Sequence, residues 1–250
     1  MKRILFGFSA LVITFFVGQA VLKSSTDVQP PVTTQTHKIV PSTTAVFDKL
    51  RFSVTDPSSL WVIANKKHPL APVDYTPADL VYPQVPLRVP GNESMQVRVS
   101  TARALEAMFA AADKDAVHLM LSSGYRSYNY QVSLYNGYVK SQGQSVADTQ
   151  SARPGYSEHQ TGLAVDLEPA NRHCEVEDCF ADTPEGKWLQ VYAYRYGFLL
   201  RYTPAGQAVT GYKGESWHYR YVGIELSQHL HDILVPTLEQ FFTVSGGNYN

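Results

Sequence analysis

Cysteine is nearly missing from this chain: Cys174 and Cys179 are the only two among 250 residues. That scarcity excludes a disulfide-dense scaffold and a thiolate-rich structural zinc site, because one Cys pair cannot complete a four-ligand shell. A surplus of charge is missing too. Lys and Arg number 21 against 22 Asp and Glu, so no global field draws the chain to nucleic acid, and no such partner is expected. No internal repeat is visible, and the one sustained apolar run lies at the very start, from Ile4 to Val17. Tyrosine, by contrast, is abundant. Sixteen Tyr residues suit either a groove for a polar, partly apolar ligand or ordinary half-buried packing.

The start of the chain reads as a targeting segment. Met1-Lys2-Arg3 forms a positive n-region, Ile4 to Val17 an h-region, and Gly18-Gln19-Ala20 a small-x-small cleavage site, so residues 1–20 are expected to be a signal peptide. Left uncut, the apolar stretch extends to Leu22 and approaches spanning length, so residues 4–22 would act as a membrane tether. Either way the remainder is exported, to the periplasm or cell envelope, secreted or anchored. Residues 21–45 are rich in Ser, Thr, Gln, Val and Pro without apolar period, which predicts a disordered linker. A globular domain is expected over 46–244 and a loose tail over 245–250. In an exported chain, two Cys five apart read as a disulfide closing a small loop, with soft metal ligation the weaker alternative. Nothing calls for an obligate partner subunit, so a monomer is expected.

Within the domain, prolines at 69, 72, 77, 83, 86 and 90 predict an extended segment wrapped over the surface. The spacing of Ala102, Leu105, Met108, Phe109 and Ala112 predicts a helix over 100–114, capped by Ser100 or Thr101. Further helices are expected over 129–140, 146–152 and from Pro184 to Gly197, and a last one over 224–242 that Pro236 kinks or splits. Strands are expected at 117–121, 162–168, 198–202 and 217–222. The second alternates, with Leu163, Val165 and Leu167 on one face and Ala164, Asp166 and Glu168 on the other. Helices first and strands later argue for an α+β fold with a small antiparallel sheet flanked by helices.

The chemistry concentrates in two stretches. Ser157-Glu158-His159-Gln160-Thr161-Gly162-Leu163-Ala164-Val165-Asp166 sets an imidazole and a carboxylate seven residues apart across a glycine, and Glu215-Ser216-Trp217-His218-Tyr219 follows about fifty residues later. His159, Asp166 and His218 are three N/O donors, the number that a catalytic Zn²⁺ site uses while keeping one position for water. Glu215 is then left over as general base. On a flat strand, residues three apart face opposite ways, so Glu215 is expected in the turn that enters the strand. Taken singly, each of these could be a satisfied core polar group. Arg126, in a turn after a strand, suits a carboxylate or a developing oxyanion. Ser157 and Gln131 are candidates for hydrogen bonds to substrate, and Glu168 is either behind Asp166 or simply exposed.

Three motifs, Ser-Gly-Tyr-Arg-Ser at 123–127, Ser-x-His-x-x-Gly-x-Ala-x-Asp at 157–166 and Glu-x-Trp-His-Tyr at 215–219, resemble those of the VanY-type D-alanyl-D-alanine carboxypeptidases. These belong to a group of zinc peptidases with the lysostaphin-type enzymes and the hedgehog domain. The resemblance spans roughly 60–242. It implies zinc on a small antiparallel sheet held by His159, Asp166 and His218, with Glu215 as base. It also implies that Arg126 steadies substrate or oxyanion and that Gln131 and Ser157 line the peptide site. The implied substrate is the peptidoglycan stem peptide, trimmed of its terminal D-alanine at a D,D or an L,D bond. An endopeptidase of the same group is the alternative, and a non-catalytic zinc-containing wall-binding domain a more distant one. The Cys174–Cys179 loop stands outside the motif pattern.

Overall fold

The structure, a computed structural model, describes residues 47–249, so the expected signal peptide or tether and the whole of the 21–45 linker lie outside the described residues. In chain order the elements are β1 (Leu80–Val81), β2 (Val97–Arg98), α1 (Val99–Lys114), β3 (Leu119–Ser123), α2 (Tyr128–Gln142), α3 (Gln144–Gln150), β4 (Ala164–Pro169), α4 (Pro184–Tyr192), β5 (Phe198–Tyr202), α5 (Gln207–Thr210), β6 (Glu215–Tyr221), α6 (Ile224–Asp232) and α7 (Leu238–Phe242). β3 to β6 form one antiparallel sheet in the order β3-β4-β6-β5, and β1 pairs with β2 alone. The expected α+β architecture with a small antiparallel sheet is what the chain adopts.

Apolar periodicity explains the layers. Ala102, Leu105, Met108, Phe109 and Ala112 fall on one side of α1 and enter a core with Leu121, Val165, Leu167, Phe198 and Tyr219 from the sheet. Val165 and Leu167 supply the core side of β4, and Asp166 and Glu168 are left to the opposite side. Leu163, just before the strand, packs instead with Val62, Ala64 and Leu70. A second cluster joins Trp61 and Ile63 to Val222, Leu226, Leu230, Leu238 and Phe241, which ties the entry segment to α6 and α7.

Several boundaries differ from the expected ones for local reasons. α1 begins at Val99, so neither Ser100 nor Thr101 caps it, and Thr101 is buried within its first turn. Ser127 and Thr183 cap α2 and α4, with Pro184 at the first helical position of α4. The helix expected over 224–242 is two helices, split around Pro236. The proline-rich stretch contributes the short β1, and Leu87 bridges to Leu121 beside β3. His118, expected inside a strand, precedes β3 and pairs on the surface with Asp113. Residues 245–249, expected to be loose, are held: Tyr249 Oη accepts from Arg153 N at 2.8 Å, and Ser245 O accepts from Asn65 Nδ2 at 3.1 Å.

Candidate metal centre and cleft

The site lies on the side of the sheet away from α1, where two strand irregularities bring separate motifs together. Asp166 on β4 sits directly across from His218 on β6. On its other edge, Leu121 faces Leu167 but Ser123 faces Asp166, so β3 carries one extra residue there. That bulge delivers Ser123, Gly124 and Arg126 to Asp166. Gly124 has no room for a side chain, since a Cβ would stand 2.4 Å from Gln96 O. Its carbonyl accepts from His159 Nδ1 at 2.6 Å. His159 itself sits in a 3₁₀ turn over Glu158–Thr161, closed by Gly162 in the left-handed region at φ 67°.

The three expected donors converge. Asp166 Oδ1 lies 3.3 Å from His159 Nε2 and 3.3 Å from His218 Nδ1, and one donor atom of each residue lies within 4.8 Å of the others. Ligands at ~2.0–2.1 Å around a tetrahedral ion stand ~3.3 Å apart, so the spacing to Asp166 is that of a tetrahedron's edge. All three residues are buried, and Asp166 Oδ1 has no hydrogen bond among the described residues. An orphaned carboxylate oxygen aimed between two imidazole nitrogens is costly unless a cation completes it. The donor set therefore fits Zn²⁺. Arg126 Nη2 holds the outer oxygen, Oδ2, of the same carboxylate, and its Nε donates to Ser123 Oγ at 3.1 Å.

Electrostatics divides the group. Burial would raise the Asp166 pKa, but His159 and Arg126 hold it well below the usual carboxylate range. Burial, reinforced by the Arg126 charge, lowers His159 to about 4, so it is neutral and ready to ligate at neutral pH. Burial opposes the charge on His218, yet contacts with Asp166 and Glu158 raise it to about 9 when no metal is bound. Glu215 keeps 15% of its side chain exposed to the cleft, yet burial, with the Asp166 charge adding to it, raises its pKa to about 7. A carboxylate poised near neutrality can take up and release a proton during turnover.

Glu215 is not in an entry turn, as expected, but is the first residue of β6. Leu200 faces Tyr219 while Tyr202 faces Glu215, so β6 runs through four residues where β5 runs through two. The pairing is irregular there, and Glu215 Oε2 stands 3.4 Å from His218 Nδ1. Arg126, Ser157 and Glu215 line a cleft of about 900 Å³ together with the three donors. Gln131 does not line it. It is buried, and its Nε2 donates to Ser151 Oγ at 3.1 Å and Ala152 O at 2.7 Å, bracing two residues of the cleft wall. Glu168 is fully buried rather than exposed, with Arg88 Nη1 3.5 Å away. Cys174 and Cys179 form a disulfide, and Val176, Glu177 and Asp178 of its loop line one rim of the cleft.

Sequence reasoning missed Glu158, although it stands inside the motif between Ser157 and His159. It is fully buried behind His218 with Arg201, Arg220 and Glu239. The available signal was a pair of arginines inside otherwise apolar and aromatic strand segments, which must find buried acids.

Comparison with known proteins agrees with this arrangement. The family model described as VanY, D-alanyl-D-alanine carboxypeptidase, matches residues 94–224. The protein YodJ of Bacillus subtilis (strain 168) is 38% identical over 193 residues, which are 76% of this chain and 69% of YodJ. Among solved structures, the LdcB LD-carboxypeptidase superposes with a TM-score of 0.71 at 38% identity, covering 76% of this chain and 89% of LdcB. The vancomycin-resistance D,D-pentapeptidase VanY, solved as a glutamate-to-alanine mutant with Zn(II), superposes with a TM-score of 0.59 at 29% identity, covering 74% and 99%.

Proposed function

This chain belongs to the VanY family of D-alanyl-D-alanine carboxypeptidases, and from that premise we propose that it is a zinc-dependent enzyme that removes the terminal D-alanine from peptidoglycan stem peptides. The observation that carries the reading is the convergence of His159, Asp166 and His218 with Glu215 beside them in one cleft. Zn²⁺ held by those three residues supplies Lewis acidity to the scissile carbonyl and to water. The chain's own groups do the rest. Glu215 takes the proton from the attacking water and passes it to the amine of the departing D-alanine. Arg126, anchored by Ser123 and Asp166, presents its guanidinium to the substrate carboxylate or the developing oxyanion. Ser157 hydrogen-bonds the peptide from the cleft wall, and Gln131 keeps that wall in place.

The enzyme works outside the cytoplasm as a monomer on the cell wall. Support comes from the charged and apolar start of the sequence and from the wall-directed relatives. Among the described residues, no helix is long and apolar enough to cross a membrane. Similarity is greater to the LD-carboxypeptidase than to the D,D-pentapeptidase, which favours the L,D bond of a tetrapeptide. The test is incubation of the zinc-loaded protein with a tetrapeptide ending in one D-alanine and a pentapeptide ending in two, followed by mass spectrometry. Loss of one alanine, abolished by chelator and by Glu215→Ala, is expected, first from the tetrapeptide. No loss from either peptide, with zinc bound, would overturn the carboxypeptidase reading.

A further inference from the structure

Behind the metal centre lies a fully buried ionic network that the reaction does not touch. Glu158 Oε1 accepts from Arg201 Nε at 2.8 Å and from Arg220 Nη1 at 2.9 Å. Arg201 also donates twice to Glu239, at 2.9 and 2.6 Å, and Asn65 Nδ2 donates to Glu239 at 3.1 Å. Arg220 completes its donors on the carbonyls of Leu60 and Tyr221. Two acids against two arginines leave no net charge, which lets such a cluster persist without water.

One oxygen of the network is not used. Among its described residues, Glu158 Oε2 alone is a buried acceptor without a hydrogen bond, and His218 Nε2, 3.6 Å away, is a buried nitrogen without one. Each is aimed at the other. The opposite nitrogen, Nδ1, faces Asp166 and Glu215. A buried ring nitrogen beside an ionised carboxylate is satisfied by carrying a proton toward it, and that choice leaves Nδ1 with its lone pair free. Glu158 Oε1 is taken by both guanidinium groups, which leaves Oε2 to face the His218 ring. Its two arginines also hold it still, since they come from β5 and β6 and not from the turn that carries Glu158.

We infer that Glu158 is a positioning residue for the metal centre: clamped by Arg201 and Arg220, it fixes the His218 ring with Nε2 protonated and Nδ1 turned toward Asp166. This rests on the reading of His159, Asp166 and His218 as metal ligands. Partners of this kind orient the ligand ring and raise its basicity, and their loss typically costs ~10–100-fold in metal affinity.

The test compares zinc affinity of the full chain, by competition with a chromophoric chelator, in wild type, Glu158→Gln, Glu158→Asp and Glu239→Gln. Wild type is read first, since failure to bind zinc overturns the metal reading itself. Glu158→Gln and Glu158→Asp are expected to bind ~10–100-fold more weakly. Glu239→Gln breaks the far end of the same network without touching His218, and is expected to lose thermal stability but keep its zinc affinity. Unchanged affinity in the Glu158 variants, or an equal loss in Glu239→Gln, would overturn the inference. Should the Glu158 variants not fold, the zinc-loaded wild type decides by nitrogen-15 NMR. A protected Nε2 proton on His218 supports Glu158 as its acceptor, and a ring protonated at Nδ1 overturns it.

Discussion

Glu215 and His218 stand three residues apart on one strand, yet Glu215 Oε2 comes within 3.4 Å of His218 Nδ1. The pairing of β6 with β5 is irregular between the two residues, with Leu200 facing Tyr219 and Tyr202 facing Glu215. The group of mutually close donor atoms comprises His159, Asp166 and His218, with Glu215 beside His218 but outside that group. Replacement of Glu215 by Ala or Gln should lower kcat by ~10²–10⁴, the usual contribution of a positioned base. Zinc content should stay at the wild-type level. Measured metal stoichiometry alongside single-turnover rates separates the two effects, and loss of metal in Glu215→Gln would make Glu215 a ligand.

Gly124 links packing to the site. Its missing side chain lets the chain pass Gln96, and its carbonyl orients His159. Gly124→Ala must push the backbone away, at a cost of ~1–3 kcal/mol by overpacking. Both thermal stability and zinc affinity should fall together. Calorimetry that shows lost stability with unchanged zinc affinity would remove the carbonyl from its orienting role.

Acid should weaken the fold through the network behind the site. Burial would raise the Glu239 pKa, but Arg201 lowers it below its ordinary 4.5. A depressed carboxylate stabilises the fold above its unfolded value, and that contribution is lost as pH falls below 4.5 toward the folded value. Melting temperature should therefore drop as pH falls below 4.5, and Glu239→Gln should flatten part of that slope. Parallel slopes in variant and wild type would mean that Glu239 ionises alike in both states.

The disulfide loop should matter to binding more than to chemistry. Val176, Glu177 and Asp178 line the cleft, while Glu175 is held by Arg172 at 2.8 Å and by Arg88. Closing so short a loop is worth about 2 kcal/mol in the unfolded-chain account. Cys174→Ser with Cys179→Ser should lower stability by up to that amount and raise KM with little change in kcat. A fall in kcat at constant KM would place the loop closer to the reacting atoms than the structure does.

The sequence by itself determined the chemical inventory and the secondary structure that carries it. His159, Asp166, His218 and Glu215 stood out because metal ligation and base catalysis, the roles proposed for them, need those side chains, and the α1 face was legible from apolar period alone. Pro236 announced the break between α6 and α7 because it cannot continue a helix. What only the tertiary structure decided is how residues distant in sequence complete one another. The β6 bulge follows from pairing with β5, and pairing register is a property of two strands together. Glu158 drew no reading from its local sequence, because the Arg201 and Arg220 that bury it come from other strands. Gln131 carried the right groups for a substrate contact, but α2 turns it onto Ser151 and Ala152. Buried polar groups must be satisfied by whatever the fold brings near them, and that choice is made by packing rather than by local sequence.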